Sequence, residues 1–410
     1  MAPIEGGIID GLLRVARKRS SNPDSEAEVT SGPTEGSDKS VRRREARFSD
    51  FEAIAALKER SGLSIDSHEN WQRLWQQNPA LVGAGANLPI GWVQEAGDGQ
   101  IVGYLGSIPL LYQFGQQTLL ATATTSYAVD PAYRSRSLGL VGSFFRQKGC
   151  DLYLDTTATV AAGRIMLAFK AQQVPQKHYG TVLFWVLDAQ AFLRAAMRRL
   201  RLGENFGAMG AWVGSPILHG DTFLRGRRPR SGSVRFSCRQ LRVEEIGDDF
   251  QDLWQRKLQE KARVLACRTP EVLRWHFLIP HSDRTPHVLA CYSGGQMEGY
   301  IVVVIGRDKS LGLDRAGVAD LMAAGGNPEV IRELLAGAYE IAKENRCAVL
   351  ELLGFPAEVR RICLEGKPYS RNYPACPFFY KTGRPELLQV LSKEESWYAC
   401  PFDGDATLSP

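Results

Sequence analysis

The chain has 410 residues, 44% of them hydrophobic, long enough for two ordinary domains with sizeable cores. Its 50 basic and 45 acidic residues leave a net charge of +5, a total that does not imply a nucleic-acid partner. No run of about 18 apolar residues occurs, which argues against a membrane span; the glycine-rich residues 205–218 come nearest and are broken by Pro216.

In chain order, Ile8, Ile9, Leu12, Leu13 and Val15 lie among Arg14, Arg17, Lys18 and Arg19. This short basic amphipathic pattern reads as a frayed leader, with a surface anchor as the rival. Glu5 and Asp10 interrupt its apolar residues, so no export signal is indicated. Residues 20–46 carry almost no large apolar side chain and predict a disordered tail, with the fold beginning near Phe48.

Phe51, Ile54, Ala55 and Leu57 recur at helical spacing after Ser49, a plausible N-cap. A second helix holds Trp71, Leu74 and Trp75 and closes before Pro79. Residues 91–96 and 100–111 read as two strands joined by Gly97-Asp98-Gly99, a hairpin signal. A strand at 118–129, a helix to about 148, a strand at 150–155, a helix over 160–173 and a strand at 181–187 follow.

The middle of the chain, 191–239, reads as a basic and glycine-rich linker. Arg198-Arg199-Leu200-Arg201 and Arg225-Gly226-Arg227-Arg228-Pro229-Arg230 flank its apolar stretch. The expectation is a solvated connection, with contact to a membrane surface or an anionic partner as the alternative.

Beyond it, Gly295-Gln296-Met297-Glu298-Gly299-Tyr300 echoes Gly99-Gln100-Ile101-Val102-Gly103-Tyr104. Residues 345–351 likewise echo 148–154, and Trp275 with Pro280 echoes Trp75 with Pro79. Three landmarks in register imply a tandem duplication. The predicted organisation is a disordered tail over 1–47, a first domain over 48–190, the linker, and a second domain over 240–410.

The most informative stretch is Val129-Asp130-Pro131-Ala132-Tyr133-Arg134-Ser135-Arg136-Ser137-Leu138-Gly139. Pro131 stops a strand, a short Arg/Ser/Gly run turns the backbone, and a helix opens whose first amides lack intrahelical acceptors, a geometry that suits an anion. This stretch resembles the Q/R-x-x-G-x-G/A motif of the GCN5-related N-acetyltransferases, with Arg134 at its first position, Gly139 at its last, and Ser137 where the family usually has a glycine. The element order, helix, helix, hairpin, strand, turn, helix, strand, helix, strand, is also that of the acetyltransferase fold.

The resemblance implies an α/β (α+β) fold of two acetyltransferase-like domains, each a mixed, mostly antiparallel sheet flanked by helices. It implies acetyl-CoA or another acyl-CoA as cosubstrate, with the amides from Arg134 through Ser135, Arg136, Ser137 and Leu138 to Gly139 on the pyrophosphate. Tyr127, Ala128 and Val129 would line the pantetheine arm, and an amide near Ala128 or Val129 would polarise the thioester carbonyl. The second copy has no arginine-rich turn between its strand at 314–322 and the helix from Glu329, so it is expected to have lost cofactor binding.

Acyl transfer to an amine also needs a proton acceptor. Relatives carry a glutamate before the motif, whereas here the run is Ala121-Thr122-Ala123-Thr124-Thr125-Ser126-Tyr127. Ser126 can orient a water. Where the family has its tyrosine acid the chain has Phe169, so His178 and Tyr179 are the substitute candidates, with a structural role as the rival. Asp155 and Thr157 are candidates for the acceptor site. The dispersed His276, His281, Asp283 and His287 match no compact metal motif, and Asp403-Gly404-Asp405 reads as a turn or a weak cation site; no metal is expected.

The sequence therefore predicts an acyl-CoA-dependent acyltransferase acting on a primary amine of a small molecule or amino sugar, with no nucleic acid and an open oligomeric state. The alternatives are a non-catalytic binding or scaffold protein and a Fem-type aminoacyl transferase. Eight cysteines without a C-x-x-C pair suggest neither zinc nor disulfides, so a reducing cytoplasm is the expected compartment.

Overall fold

A computed structural model describes residues 40–82, 88–199, 204–231, 235–280, 282–373 and 377–408. The amphipathic leader, the tail up to residue 39 and His281 lie outside them.

The chain opens with β1 (Val41–Glu45), α1 (Phe51–Arg60), α2 (His68–Gln76) and α3 (Pro79–Val82). Next come β2 (Gly91–Ala96), β3 (Ile101–Phe114), β4 (Gln117–Val129), α4 (Leu138–Arg146), β5 (Leu152–Asp155), α5 (Val160–Ala168), β6 (Gln172–Gln173) and β7 (Thr181–Val186). Two helices, α6 (Ala189–Arg199) and α7 (Glu204–Arg225), lead to β8 (Ser237–Leu241), α8 (Asp248–Glu260), β9 (Val264–Ala266) and α9 (Pro270–Phe277). The remainder is β10 (Thr285–Ser293), β11 (Gln296–Asp308), β12 (Leu313–Ala323), α10 (Pro328–Glu344), β13 (Val349–Leu352), α11 (Ala357–Glu365), β14 (Tyr369–Asn372), β15 (Phe379–Thr382) and α12 (Pro385–Leu391).

The strands form two mixed, mostly antiparallel sheets. One runs β1-β2-β3-β4-β5-β15-β6, with β9 on β3; the other runs β14-β7-β13-β12-β11-β10-β8. The sheets exchange strands. β7, which follows the first half, pairs with β13, whereas β15 of the second half pairs with β5. A sequence boundary near 190 therefore separates elements, but each sheet is completed by a strand from the other side of it.

The largest apolar cluster crosses that boundary, gathering Leu57, Trp75 and Tyr112 with Leu253, Trp275, Leu335 and Trp397. The two echoed tryptophans lie in it. Trp75 donates to the Ser107 carbonyl at 2.7 Å, and Trp275 donates to the Arg73 carbonyl at 3.2 Å while the Arg73 guanidinium sits 5.6 Å over its ring.

Three expectations are corrected. The tail does not extend to Glu45, because Val41–Glu45 pairs with β2 as an edge strand. Its alternation is charged rather than apolar, and Arg44 is held by Asp50 at 2.7 Å and Glu95 at 2.8 Å; charge on an edge strand also discourages sheet extension. The middle segment is not an irregular linker, since α6 and α7 occupy most of it despite Pro216. Lastly, Cys238 and Cys291 are disulfide-bonded across β8 and β10, where strand register sets them directly opposite. A sequence separation of 53 hides that pairing, and the bond removes the cysteine argument for a reducing compartment.

The C-terminal segment packs between the sheets. Phe355 donates to the Ala399 carbonyl at 2.8 Å, and the Gln176 side chain bonds both the amide and the carbonyl of Ala399. Arg268, fully buried, holds Asp320 at 3.0 Å and Asp403 at 3.3 Å, and Tyr300 donates to Asp320 at 2.7 Å. Removing one partner of such a group strands a buried charge.

His276 stacks 4.2 Å from Phe402 and bonds Thr407, fully buried. Burial, then the charges of Arg73 and Arg268, depress its pKa well below the ordinary value. The unfolded chain thus binds a proton that the folded one refuses, so this group's contribution to stability is present above about pH 6.5 and falls by up to about 1.4 kcal/mol per unit below it. Thermal unfolding between pH 7 and pH 5 should show a shallower loss in His276→Phe than in the parent, and equal slopes would contradict this account.

Candidate active site

β4 ends where it separates from β5. The parallel ladder joins Ala121, Ala123 and the residue between them to Leu152–Leu154, and β4 then runs on through Val129 beyond its last β5 partner. On the other edge the ladder with β3 shifts register between Tyr104 and Gly106. Ser126 sits in that bulge with φ 53, a left-handed conformation that turns its side chain out of the regular alternation. Ala128 is buried, while Ser126, Tyr127 and Val129 are partly exposed.

After Val129, Asp130 is tied to Arg60 at 2.9 Å, and Pro131–Arg136 forms a 3-10 helix. Its Arg136 carbonyl accepts from the buried Gln94 at 2.7 Å, which anchors the turn to β2. Such a helix directs its amides along its own axis. The amides of Arg134, Ser135 and Arg136 therefore do not form the outward fan expected from the sequence; Ser137 donates to the Arg134 carbonyl at 3.1 Å and Leu140 to the Ser137 carbonyl at 3.0 Å, so the turn runs directly into α4. Arg134, Ser135, Arg136 and Leu138 are exposed at this mouth.

Arg43 of β1 reaches across and donates to the Gly139 carbonyl at 2.7 Å. A Cβ on Gly139 would stand only 2.7 Å from that guanidinium. The glycine thus admits an additional cation beside the turn. Burial pushes the Tyr127 phenol up, opposed by the Ser137 hydroxyl.

At the opened end of the ladder the structure gathers a polar cluster deeper in the protein. Asp155 ends β5, with 6% of its surface exposed, and accepts from the Thr157 amide at 3.3 Å. Asp405, from the C-terminal segment, accepts from Thr156 Oγ1 at 2.9 Å and from Thr157 Oγ1 at 3.0 Å. Thr124 bonds Asp155 and Thr125 bonds Asp405 from the β4 side. Burial, followed by the like charge of Asp405, pushes the Asp155 carboxyl up to about 7. Burial also raises Asp405, against the hydroxyls that hold it.

The candidates Asp155 and Thr157 thus lie in one cluster with Thr156, which follows Asp155 in the same candidate run, and with Asp405, which the sequence reading did not include. In Asp403-Gly404-Asp405, Asp403 serves Arg268, Asp405 serves the threonines, and both are buried. The legible signal was Gly404, whose absent Cβ lets the backbone lie against Thr156.

His178 and Tyr179 stand elsewhere. His178 is exposed, with φ 60, in the turn before β7, and its carbonyl accepts from Thr181 at 2.9 Å. Tyr179 is buried against Phe378, with ring centroids 5.7 Å apart. Phe169 is partly buried and stacks on Phe145 at 5.7 Å against the core.

In the second half, β12 carries the corresponding register shift and the turn Ala324–Gly326. There Glu260 accepts from the Gly325 amide at 2.5 Å and from the Lys257 ammonium at 2.7 Å, and Lys257 donates to the Ala323 carbonyl at 3.0 Å. The anion position of that turn is taken by a carboxylate of the chain itself. Tyr398 bonds the Leu321 carbonyl, which seats the C-terminal segment against the end of β12.

No family model matches the sequence, and no curated protein matches it. Solved structures do. A GCN5-related N-acetyltransferase from Anabaena variabilis is similar at 10% identity and TM-score 0.51, over 84% of this chain and 73% of that one. One from Kribbella flavida is similar at 12% identity and TM-score 0.53, over 84% and 71%. Saccharomyces cerevisiae N-myristoyltransferase, solved with myristoyl-CoA, is similar at 11% identity and TM-score 0.51, over 86% and 80%. The chain has the GCN5-related N-acetyltransferase fold.

Proposed function

We propose that this chain is an acyltransferase that moves an acetyl or longer acyl group from acyl-CoA to a primary amine of a small molecule or amino sugar, using its first sheet alone for the cosubstrate. The observation that carries the reading is Asp155, a buried carboxyl pushed to about 7 beside the opened end of the β4–β5 ladder. A proton acceptor with that affinity suits an amine nucleophile near neutral pH.

Acyl-CoA fits the residues present. The β4 edge beyond Ala123 offers backbone groups to an extended amide-bearing arm, and Arg43, Arg134, Arg136 and the first turn of α4 set positive charge and helix amides at the mouth. When bound, the cosubstrate supplies an activated thioester carbonyl. Asp155 and Asp405 receive the amine as an ammonium, since two buried carboxylates favour a cation between them. Asp155 then takes the proton and leaves the amine lone pair free. Thr156 and Thr157 hold Asp405 in place, and the bulge at Ser126 and Tyr127 gives β4 its local change of direction.

The scaffold alternative is favoured by one observation: Phe169, where the family's acid would stand, is an apolar ring stacked on Phe145. A thiolate leaving group needs little acid help, so that loss does not by itself exclude turnover. The distinguishing measurement is acetyl-CoA and myristoyl-CoA titration by calorimetry, followed by thiol release with amine acceptors. Binding in the micromolar range, weakened about tenfold or more in Arg134→Glu by reversal of a phosphate-facing charge, supports the reading. Absence of binding overturns it, and binding without release under any amine favours the scaffold.

A further inference from the structure

Phe223 and Leu224, at the C-terminal end of α7, expose 85% and 83% of their surface, the largest values among the exposed large hydrophobic residues of the described chain. They are not on a loose end. The chain turns at Gly226, with φ 59, and Arg227 is locked beneath: it bonds Asp221 at 2.7 Å, donates to the Lys367 carbonyl at 3.0 Å and lies 4.2 Å over the Tyr369 ring. Tyr369 in turn donates to Asp221 at 2.7 Å. The pair therefore projects from a braced corner where α7 meets the end of α11.

The surroundings are basic. Arg225, Arg228, Arg230, Arg361 and Lys367 are exposed around this corner. The nearby acidic side chains are engaged: Asp221 by Arg225 and Arg227, Glu365 by Arg332 at 2.7 Å, and Glu333 by Ser231 at 2.7 Å. Just past the turn, Pro229 and Arg230 line a cleft of about 140 Å³ with Arg332, Leu335, Ile362, Cys363, Gly366 and Glu365, the last paired to Arg332. Leu364, 53% exposed, adds apolar surface on the α11 side.

An apolar tip ringed by cations matches an interface of hydrocarbon under anionic headgroups, because the ring loses little by staying wet while the tip gains by leaving water. No helix among the described residues is long and apolar enough to cross a membrane. We infer that this corner docks the protein on an anionic phospholipid surface, with Phe223 and Leu224 entering the acyl boundary and the arginine-lined cleft receiving a lipid phosphate. A nucleic-acid partner would use the arginines but would have no use for two protruding apolar side chains.

The test is co-sedimentation of the full chain with vesicles of phosphatidylcholine alone and with vesicles containing equal parts phosphatidylglycerol. Binding should be at least about tenfold stronger to the anionic vesicles and should weaken in high salt. Phe223→Asp with Leu224→Asp, and separately Arg228→Glu with Arg230→Glu, should each lower it roughly tenfold or more while the melting temperature stays that of the parent. The leader at residues 8–19 is intact in both variants, so parental binding by either of them overturns the proposal, as does equal binding to neutral vesicles. Duplex DNA binding that depends on Arg228 and Arg230 but ignores Phe223 and Leu224 overturns it also.

Discussion

Asp155→Asn is expected to reduce turnover by about a hundredfold or more, the range typical for loss of a general base, and at the same time to raise the melting temperature at about pH 8.5. The second effect follows from linkage. The folded pKa of Asp155, about 7, lies above the model-peptide value of 3.8, so the stability it contributes is complete below about pH 4 and is lost as pH rises through 7. Above that the protein retains a buried carboxylate at a cost on the order of 3–4 kcal/mol, which an amide does not incur. Stability and activity should move in opposite directions, as they do where a site is strained for function.

Asp405→Asn separates the pair. Its charge is the second cause of the raised Asp155 value, so its removal should shift the acidic limb of the kcat/KM profile to lower pH, while Thr156 and Thr157 still bond the remaining carbonyl oxygen. A merely structural Asp405 would leave the limb in place and lower turnover at every pH alike. Unchanged turnover in Asp155→Asn would remove Asp155 from the mechanism altogether.

The framework of this site was legible because its signals are local. The Gly97-Asp98-Gly99 turn set β2 against β3, Pro131 ended β4, and the apolar spacing after Leu138 gave α4. What was hidden depends on partners far away in sequence. Thr181–Val186 reads correctly as a strand, but periodicity is blind to which sheet will receive it, and it joined β13 rather than β5. The place beside β5 went to Phe379–Thr382, from the other half. Val41–Glu45 lacks apolar alternation and is a strand through its pairing with β2, to which the Arg44–Glu95 ion pair adds a side-chain contact. Asp405 was read only as part of a turn or a weak cation site, although aspartate is seldom buried without partners. Its partners are Thr156 and Thr157, nearly 250 residues away, and nothing near Asp405 announces them.

Gly404→Ala carries the second large effect. Gly404 has φ −156, outside the left-handed region that favours glycine, and the space around it is what excludes a side chain. A Cβ there would stand 2.1 Å from Thr156 Oγ1, 2.3 Å from its Cγ2 and 2.6 Å from its Cβ. Thr156 cannot swing aside freely, being β-branched and bonded to Asp405. The backbone between Asp403 and Asp405 must therefore withdraw, at the roughly 1–3 kcal/mol typical of overpacking. It takes with it a carboxylate of the Arg268 cluster on one side and the Thr156–Asp405 pairing on the other. The expected result is a melting temperature lower by several degrees, together with loss of most turnover. Thr156→Ser in the same chain should restore only part of each, because it removes the Cγ2 contact and leaves those to Oγ1 and Cβ. A Gly404→Ala protein with parental stability and activity would show that the C-terminal segment does not press on Thr156 and that Asp405 does not complete the site.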